Sequence, residues 1–467
     1  MIFRVKPLST RVKPVYKLQI TLYYSYMGKY KTFIFESYEF NKEKREIKLF
    51  YSLDSNVFFC EKIKLPDNDY FEFDKELLDK ALFNLHLIAG VSYYKIYCPP
   101  EIKISSGNLS KEQAVFWNDI YTKGLGEFFF KNNIDFRGLV NFPFEKDVHS
   151  SASEVKLPSR TLVLLGGGKD SIVATELMKH EEIDFDLLRY GENETIRKIA
   201  EKAGKGTLYI KRELSPELFR LNEEGAYNGH IPITAYINFL SVVFCILFGY
   251  KHVVHSIEKS ADEGNVEYLG EVINHQYSKS LTFEKAFSEY LHKYITPSIE
   301  VFSLLRPLCE LKIIKIFSQY KDYFPLFASC NANWTITKEK PKGKWCGFCP
   351  KCAFIFLALS AFLPKEEVVK IFGKNLFADE KLQPLFLSLI GKHKFKPFEC
   401  VGTLEESMAA FILASRKGEY ANDFIMKYFD DNILGNVEDP DRLIKEALTV
   451  SSVDTVPQEF RNIIKKL

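Results

Sequence analysis

Residues 162–180 constrain this chain more than any other stretch. A short apolar run, Leu162 to Leu165, fits a buried strand, and three glycines follow, Gly166, Gly167 and Gly168. Lys169, Asp170 and Ser171 come next, and Ile172 to Lys179 has helical spacing. A strand, a glycine loop and a helix in that order build an anion site. Glycine lets the backbone approach a phosphate closely, and a helix start aims free N–H groups at it. Lys169 adds a positive charge. A glycine turn without a ligand is the alternative, but three glycines at a helix start cost about 1 kcal/mol each against alanine.

The spacing excludes two common nucleotide loops. Walker A needs G-x-x-x-x-G-K-[ST], and here the lysine is followed by aspartate. The dinucleotide fingerprint G-x-G-x-x-G is absent as well. The string instead resembles the S-G-G-x-D-S loop of the PP-loop ATP pyrophosphatases, which split ATP to AMP and pyrophosphate. Gly167, Gly168, Asp170 and Ser171 match it, Lys169 fills the variable place, and Gly166 stands where serine is usual. The resemblance implies that Gly166 to Ser171 bind ATP. Asp170 is the expected Mg²⁺ contact, because Mg²⁺ prefers carboxylate and phosphate oxygens.

From residue 161 onward strands alternate with helices. Thr161–Leu165, Asp184–Tyr190, Thr207–Lys211 and His252–Ile257 read as strands; Ser171–His180, Glu194–Ala203 and Ile233–Gly249 read as helices. That pattern predicts a parallel α/β sheet with ligands at the carboxyl ends of its strands. Gly166–Ser171, the turn after Tyr190 and Glu258–Asn265 should then line one crevice. Residues 15–64 differ, with apolar residues at period two: Tyr16, Leu18 and Ile20, then Phe33 and Phe35, then Ile47, Leu49 and Tyr51. They predict antiparallel strands. Helices follow at 74–90, with Asp74 as N-cap and Gly90 as stop, and at 109–131, with a Ser110/Gln113 capping box. The polar, Ser-rich stretch 144–160 reads as a linker. The expected organisation is an α+β N-terminal domain (1–155, a candidate for substrate recognition), a PP-loop ATP-binding domain (156–365) and a helical C-terminal region (366–467). Within the last, Phe395–Glu406 reads as a loop.

With 467 residues, two or three domains are expected. The net charge of +2, with dispersed basic residues, gives no reason to expect a nucleic-acid partner. No signal-peptide core opens the chain, and the most apolar stretch, 237–250, is too short for a bilayer. The nine cysteines are an odd count without a secretory context. A cytoplasmic enzyme is expected. Its oligomeric state is not legible.

Four of the cysteines cluster. Cys346, Cys349 and Cys352 lie in W-C-G-F-C-P-K-C, and Cys330 precedes them by 15 intervening residues. The spacings suit a tetrahedral Zn²⁺ site; an iron–sulfur cluster is the competing occupant. Queuosine-precursor synthases, also PP-loop enzymes, carry a similar zinc site with a shorter first gap, which favours structural zinc. Cys60, Cys98, Cys245, Cys309 and Cys400 read as buried.

Other polar strings remain: Asn228-Gly-His-Ile-Pro232, Ser256 to Asn265, His275 to Ser280, and Arg306, which could pair a substrate carboxylate. Residues 85–95 (LHLIAGVSYYK), 99–102 (PPEI), 258–265 (EKSADEGN), 274–280 (NHQYSKS), 345–359 (WCGFCPKCAFIFLAL) and 396–403 (KPFECVGT) join the glycine loop in a wider pattern. Together they resemble the UDP-N-acetyl-α-D-muramoyl-L-alanyl-L-glutamate epimerase family over residues 75–410. The resemblance implies an isomerase of peptidoglycan-precursor synthesis. Its substrate would be UDP-MurNAc-L-Ala-L-Glu, epimerised at the terminal glutamate with ATP and Mg²⁺ through an adenylated carboxylate. The chemistry also needs a base, for which His275, His230 and Lys259 are the candidates; with Lys169 and Asp170 they make up the expected catalytic set. The runner-up function is a PP-loop enzyme modifying a nucleobase or tRNA, in the manner of queuosine-precursor synthases or tRNA thiolases. A third is a nucleotide-binding module without catalysis.

Overall fold

A computed structural model describes residues 28–147, 151–191, 193–330, 332, 343–393, 396–452 and 454–467. Its strands are β1 (Thr32–Asn41), β2 (Glu46–Leu53), β3 (Val57–Lys64), β4 (Glu101–Ile104), β5 (Thr161–Leu164) and β6 (Phe185–Tyr190). β7 (Thr207–Glu213), β8 (His252–His255), β9 (Val266–Tyr268), β10 (Glu271–Ile273) and β11 (Glu300–Ser303) follow. Nine of them form one sheet, in the order β11-β8-β5-β6-β7-β3-β2-β1-β4.

The run from β11 to β7 is parallel, as the alternation of strands and helices predicts. From β7 the sheet continues antiparallel through β3, β2 and β1, and β4 adds parallel to β1. The join is short: Lys62, Ile63 and Lys64 face Glu213, Arg212 and Lys211. A buried ion pair reinforces it. Arg212 Nε and Nη2 donate to the two Glu61 oxygens at 2.7 and 2.8 Å, and the Tyr93 hydroxyl donates to Glu61 at 3.1 Å. The Arg212 guanidinium also lies 3.9 Å from the Tyr236 ring centre.

Side chains alternate between the two sheet faces, and each face has its own core. Leu162, Leu188, Ile210, Val253 and Val301 belong to one, together with the helices Lys75–Ala89 and Ile233–Phe248. Val163, Leu187, Val254 and Phe302 belong to the other, with the helices Lys169–His180, Glu310–Phe317 and Pro350–Ser360. The second core also takes in Leu404–Lys417 and Phe424–Asn432 near the C-terminus. The N-terminal strands and the parallel strands thus share one sheet and the first core, while the C-terminal helices pack with the parallel strands in the second. No helix among the described residues is long and apolar enough to cross a membrane.

Local signals account for most element ends. Asp74 accepts from the backbone N–H of Glu76 and Leu77, and Ser110 and Gln113 form the expected capping box. Gly90 ends the helix Lys75–Ala89 as its C-cap, as expected. It is helical, not left-handed, and a second short helix, Val91–Tyr94, follows directly. Its lack of a side chain serves packing, since a Cβ there would meet Phe35 Cε1 at 2.4 Å. The segment 151–160 is irregular as expected but is tied down: Ala152 and Ser153 donate backbone N–H to Lys293 and Ile295 carbonyls. Phe395 and the strand set at Tyr16, Leu18 and Ile20 lie outside the described residues. The expected loop 395–406 is corrected at its end, where Thr403 and Glu406 form a capping box that starts the helix Leu404–Lys417.

Candidate active site at the carboxyl ends of the parallel strands

The strand order reverses around β5, which has β6 on one side and β8 on the other. At such a switch point the loops leaving neighbouring strands part and open a crevice. The glycine loop leaves β5 there. Gly168 precedes the helix Lys169–His180 with no side-chain cap, so the first-turn N–H groups keep no capping side chain. Gly167 has φ +80°, and a Cβ on it would meet Ile196 Cγ1 at 2.7 Å; only glycine fits. A Cβ on Gly166 would meet nothing within 4 Å. Ser171 Oγ donates to the Gly168 carbonyl at 2.9 Å and accepts from Gly167 N–H at 3.2 Å, which folds the loop back on the helix start.

Two helix starts and one loop deliver carboxylates to this point. Asp170 follows β5, Glu258 follows β8 and Glu310 follows β11, and their oxygens lie within 4.8 Å of one another. Lys169 is fully buried and its ammonium pairs with Asp170 and Glu310. Its charge therefore organises the acids and is not presented to the open side of the loop. Lys351 lies 3.7 Å from Glu310. Burial pushes both Asp170 and Glu310 up; at Asp170 the Lys169 and Lys351 ammoniums outweigh it and hold the carboxyl low, whereas Glu310 stays raised. Three convergent carboxylates are the oxygen donor type that suits Mg²⁺.

Arg306 is corrected. It is buried and fully engaged: Nε donates to Glu284 at 2.8 Å, Nη1 to the Glu258 carbonyl at 2.9 Å and Nη2 to the Lys279 carbonyl at 2.6 Å. It shapes the two loops that hold Glu258 and Lys279, and each of its three nitrogens is committed to a protein acceptor rather than offered to a substrate carboxylate.

A second polar group adjoins the acids. His275 and His230 lie together, ring centres 5.7 Å apart, and share Glu127, whose Oε2 is 3.7 and 3.5 Å from their Nδ1 atoms. Lys95 holds the His230 loop, donating to the Gly229 carbonyl at 2.7 Å and to Asn228 at 3.2 Å. Burial, with His230 and Lys279 close by, pushes His275 down to about 2; burial and the same lysine push His230 down to about 4. Both rings are neutral at neutral pH. Lys259 is elsewhere: it is exposed on a 3₁₀ turn and lines a separate cleft of about 370 Å³ with Asp262, Glu263 and Glu405.

Cys400 completes this group and differs from the buried cysteine its sequence context predicts. It is only half-buried, Lys279 Nζ donates to its sulfur at 3.2 Å, and His275 Nε2 lies 3.9 Å away. Its carbonyl accepts from Lys351, the same lysine that faces Glu310. One chain of polar contacts therefore runs from Lys169 through Glu310 and Lys351 to Cys400, Lys279 and the two histidines. Glu399, next to Cys400, is held up to about 7 by burial.

The four clustered cysteines converge beside this region. Cys330 and Cys349 sulfurs are 3.9 Å apart and those of Cys346 and Cys352 are 3.7 Å apart, with all four within 4.8 Å. A tetrahedron with metal–sulfur bonds of about 2.3 Å has edges of about 3.8 Å. Backbone N–H groups of Cys346, Gly347 and Cys352 point at the sulfurs, as around bound thiolates. Gly347 makes the turn with φ +74°. Thiolate geometry and donor type fit Zn²⁺.

Two family models match the chain, that of the MurL N-terminal domain over residues 25–304 and that of the MurL C-terminal domain over residues 326–442. It is similar to the protein of Xanthomonas oryzae pv. oryzae named UDP-N-acetyl-alpha-D-muramoyl-L-alanyl-L-glutamate epimerase, 39% identical over 81% of this chain and 84% of that protein. Proteins of the same name from Micromonospora and Salinispora tropica are each 35% identical, over 86% and 82% of this chain and 90% and 84% of theirs. On this coverage and identity, the chain belongs to the MurL family of UDP-N-acetyl-alpha-D-muramoyl-L-alanyl-L-glutamate epimerases.

Proposed function

We propose that this protein inverts the terminal L-glutamate of UDP-MurNAc-L-Ala-L-Glu to D-glutamate during peptidoglycan-precursor synthesis. The reaction activates the α-carboxylate with ATP and releases AMP and pyrophosphate. One observation carries the reading: a glycine loop of PP-loop type and three convergent carboxylates meet at the switch point of the sheet. The names of three relatives supply the substrate.

The chemistry accounts for both halves of the site. The α-proton of a carboxylate is very weakly acidic, because its removal places two negative charges on one fragment. Adenylation removes one charge and makes a mixed anhydride whose carbonyl withdraws electrons from Cα. The Gly168 N–H and the start of the helix Lys169–His180 suit the phosphates. Asp170, Glu258 and Glu310 would hold Mg²⁺, which neutralises phosphate charge during the transfer. The polar group around His275 is where a proton can then be moved. Cys330, Cys346, Cys349 and Cys352 would hold a structural Zn²⁺ that anchors the helix Pro350–Ser360 and, through it, Lys351. The substrates are those of a cytoplasmic enzyme.

The test is incubation with UDP-MurNAc-L-Ala-L-Glu, ATP and Mg²⁺, followed by chiral analysis of glutamate and an assay for AMP. D-Glutamate and AMP are expected together. Neither product from the wild-type protein would refute the reading, as would undiminished AMP release by Asp170→Ala.

A further inference from the structure

Epimerisation needs a group that takes a proton from Cα, and the candidates visible in the sequence serve poorly. Burial pushes His275 and His230 below the ordinary imidazole range, and the Nδ1 atoms of both face the shared Glu127. Lys259 faces a different cleft. Cys400 has what they lack. Its sulfur accepts a hydrogen bond from the Lys279 ammonium at 3.2 Å. His275 Nε2 lies 3.9 Å from the same sulfur, and His275 is itself oriented by Glu127. The Lys279 ammonium and the His275 ring thus both stand beside the sulfur. The backbone of Cys400 is anchored by Lys351 to the acids of the glycine loop. Lys279 is anchored through its carbonyl by Arg306.

We propose that Cys400, positioned by Lys279 and His275, is the group that removes the α-proton of the activated glutamate. This rests on the adenylation reading above. The Cα–H bond breaks and an S–H bond forms at Cys400. The electron pair left on Cα is drawn into the adenylated carboxyl as an enolate. A proton from water adds to the opposite face, and a second water cleaves the anhydride to free D-glutamate and AMP. The thiol returns its proton to solvent. Lys279 and His275 are positioning residues.

The experiment uses the full chain with UDP-MurNAc-L-Ala-L-Glu, ATP and Mg²⁺ in D₂O, reading pyrophosphate, AMP, chiral glutamate and deuterium at Cα. Cys400→Ala and Cys400→Ser should lower D-glutamate formation and α-deuterium incorporation by more than about 100-fold, the scale of general-base catalysis. Pyrophosphate release should fall less than about tenfold, because the loop is untouched. D-Glutamate within tenfold of wild type in Cys400→Ala would overturn the proposal. Should the variants not fold, wild-type protein alkylated with iodoacetamide and mapped by mass gives the answer. Alkylation at Cys400 that is slowed by substrate and abolishes α-deuterium incorporation supports it; epimerisation that survives complete Cys400 alkylation overturns it. Wild-type D-glutamate without ATP consumption would refute the adenylation reading alone, since deuterium incorporation still reports on Cys400.

Discussion

Glu61 and Arg212 sit where the antiparallel strands meet the parallel ones, and Glu61→Gln tests whether that join is structural. Glu61 is fully buried and the Arg212 side chain is 17% exposed. Removing one charge of a buried, doubly hydrogen-bonded pair leaves the other uncompensated, at a cost of about 3–5 kcal/mol. Three features argue for the lower end here. Arg212 keeps some access to water. It keeps its bond to Ser92 Oγ at 3.1 Å and its contact with the Tyr236 ring. Glutamine also keeps the shape and part of the hydrogen bonding. About 3 kcal/mol corresponds to roughly 10²-fold in an opening equilibrium. A chain of this size need not unfold in one step, so the assay is hydrogen exchange on peptides covering β3 and β7 separately, under conditions where exchange reports the opening equilibrium. Both should exchange roughly 10²-fold faster, because the pair spans them. Glu61→Leu with Arg212→Met should restore protection to within about 1 kcal/mol, since an apolar pair of similar size avoids the buried charge. A change under about fivefold in the single variant, or a double variant as damaged as the single, would refute the reasoning.

The glycine loop predicts an asymmetry between neighbours. Gly166→Ser should leave stability within about 0.5 kcal/mol, because a Cβ there meets nothing. Gly167→Ala should cost more than about 1 kcal/mol, given its φ of +80° and a 2.7 Å approach to Ile196; the reverse order in denaturation midpoints would contradict the loop geometry. Metal analysis of Cys349→Ser should show zinc lost from most chains, and full zinc content would exclude the four-cysteine site. Acid should destabilise the fold through its buried histidines. Burial pushes His86 down to about 4, and its ring also meets the Phe50 carbonyl and Ser106 hydroxyl. A folded value below the unfolded one means the contribution is complete above about pH 6.5 and is lost as pH falls toward 4. His86 alone accounts for on the order of 3 kcal/mol. His86→Gln should flatten the stability profile between pH 6.5 and 4, and an unchanged profile would remove His86 as its cause.

What could be read from the sequence was what is decided locally. The period-two strands at Phe33–Phe35 and Ile47–Tyr51, the alternation after residue 161 and the Asp74 and Ser110 caps each depend on residues a few positions apart, and the structure keeps them. Gly90 ends its helix as expected, but the close approach of Phe35 that excludes a side chain there is distant in sequence and could not be read locally. Arg306 fails for the same reason: its guanidinium looks available until the loops from β8 and from residues 279–284 are folded around it. Cys400 is the sharpest case. Its partners Lys279 and His275 lie 121 and 125 residues away, and the intervening chain gives no periodicity that links them. Yet each partner sits in a string dense in polar residues, and the string K-P-F-E-C-V-G-T around Cys400 is itself polar at both ends. Polarity around a cysteine is a signal that composition averages away. A thiol placed only for packing is best surrounded by apolar side chains. One flanked by Lys396 and Glu399, and reached by Lys279 and Lys351, sits among charges that only a polar task would gather.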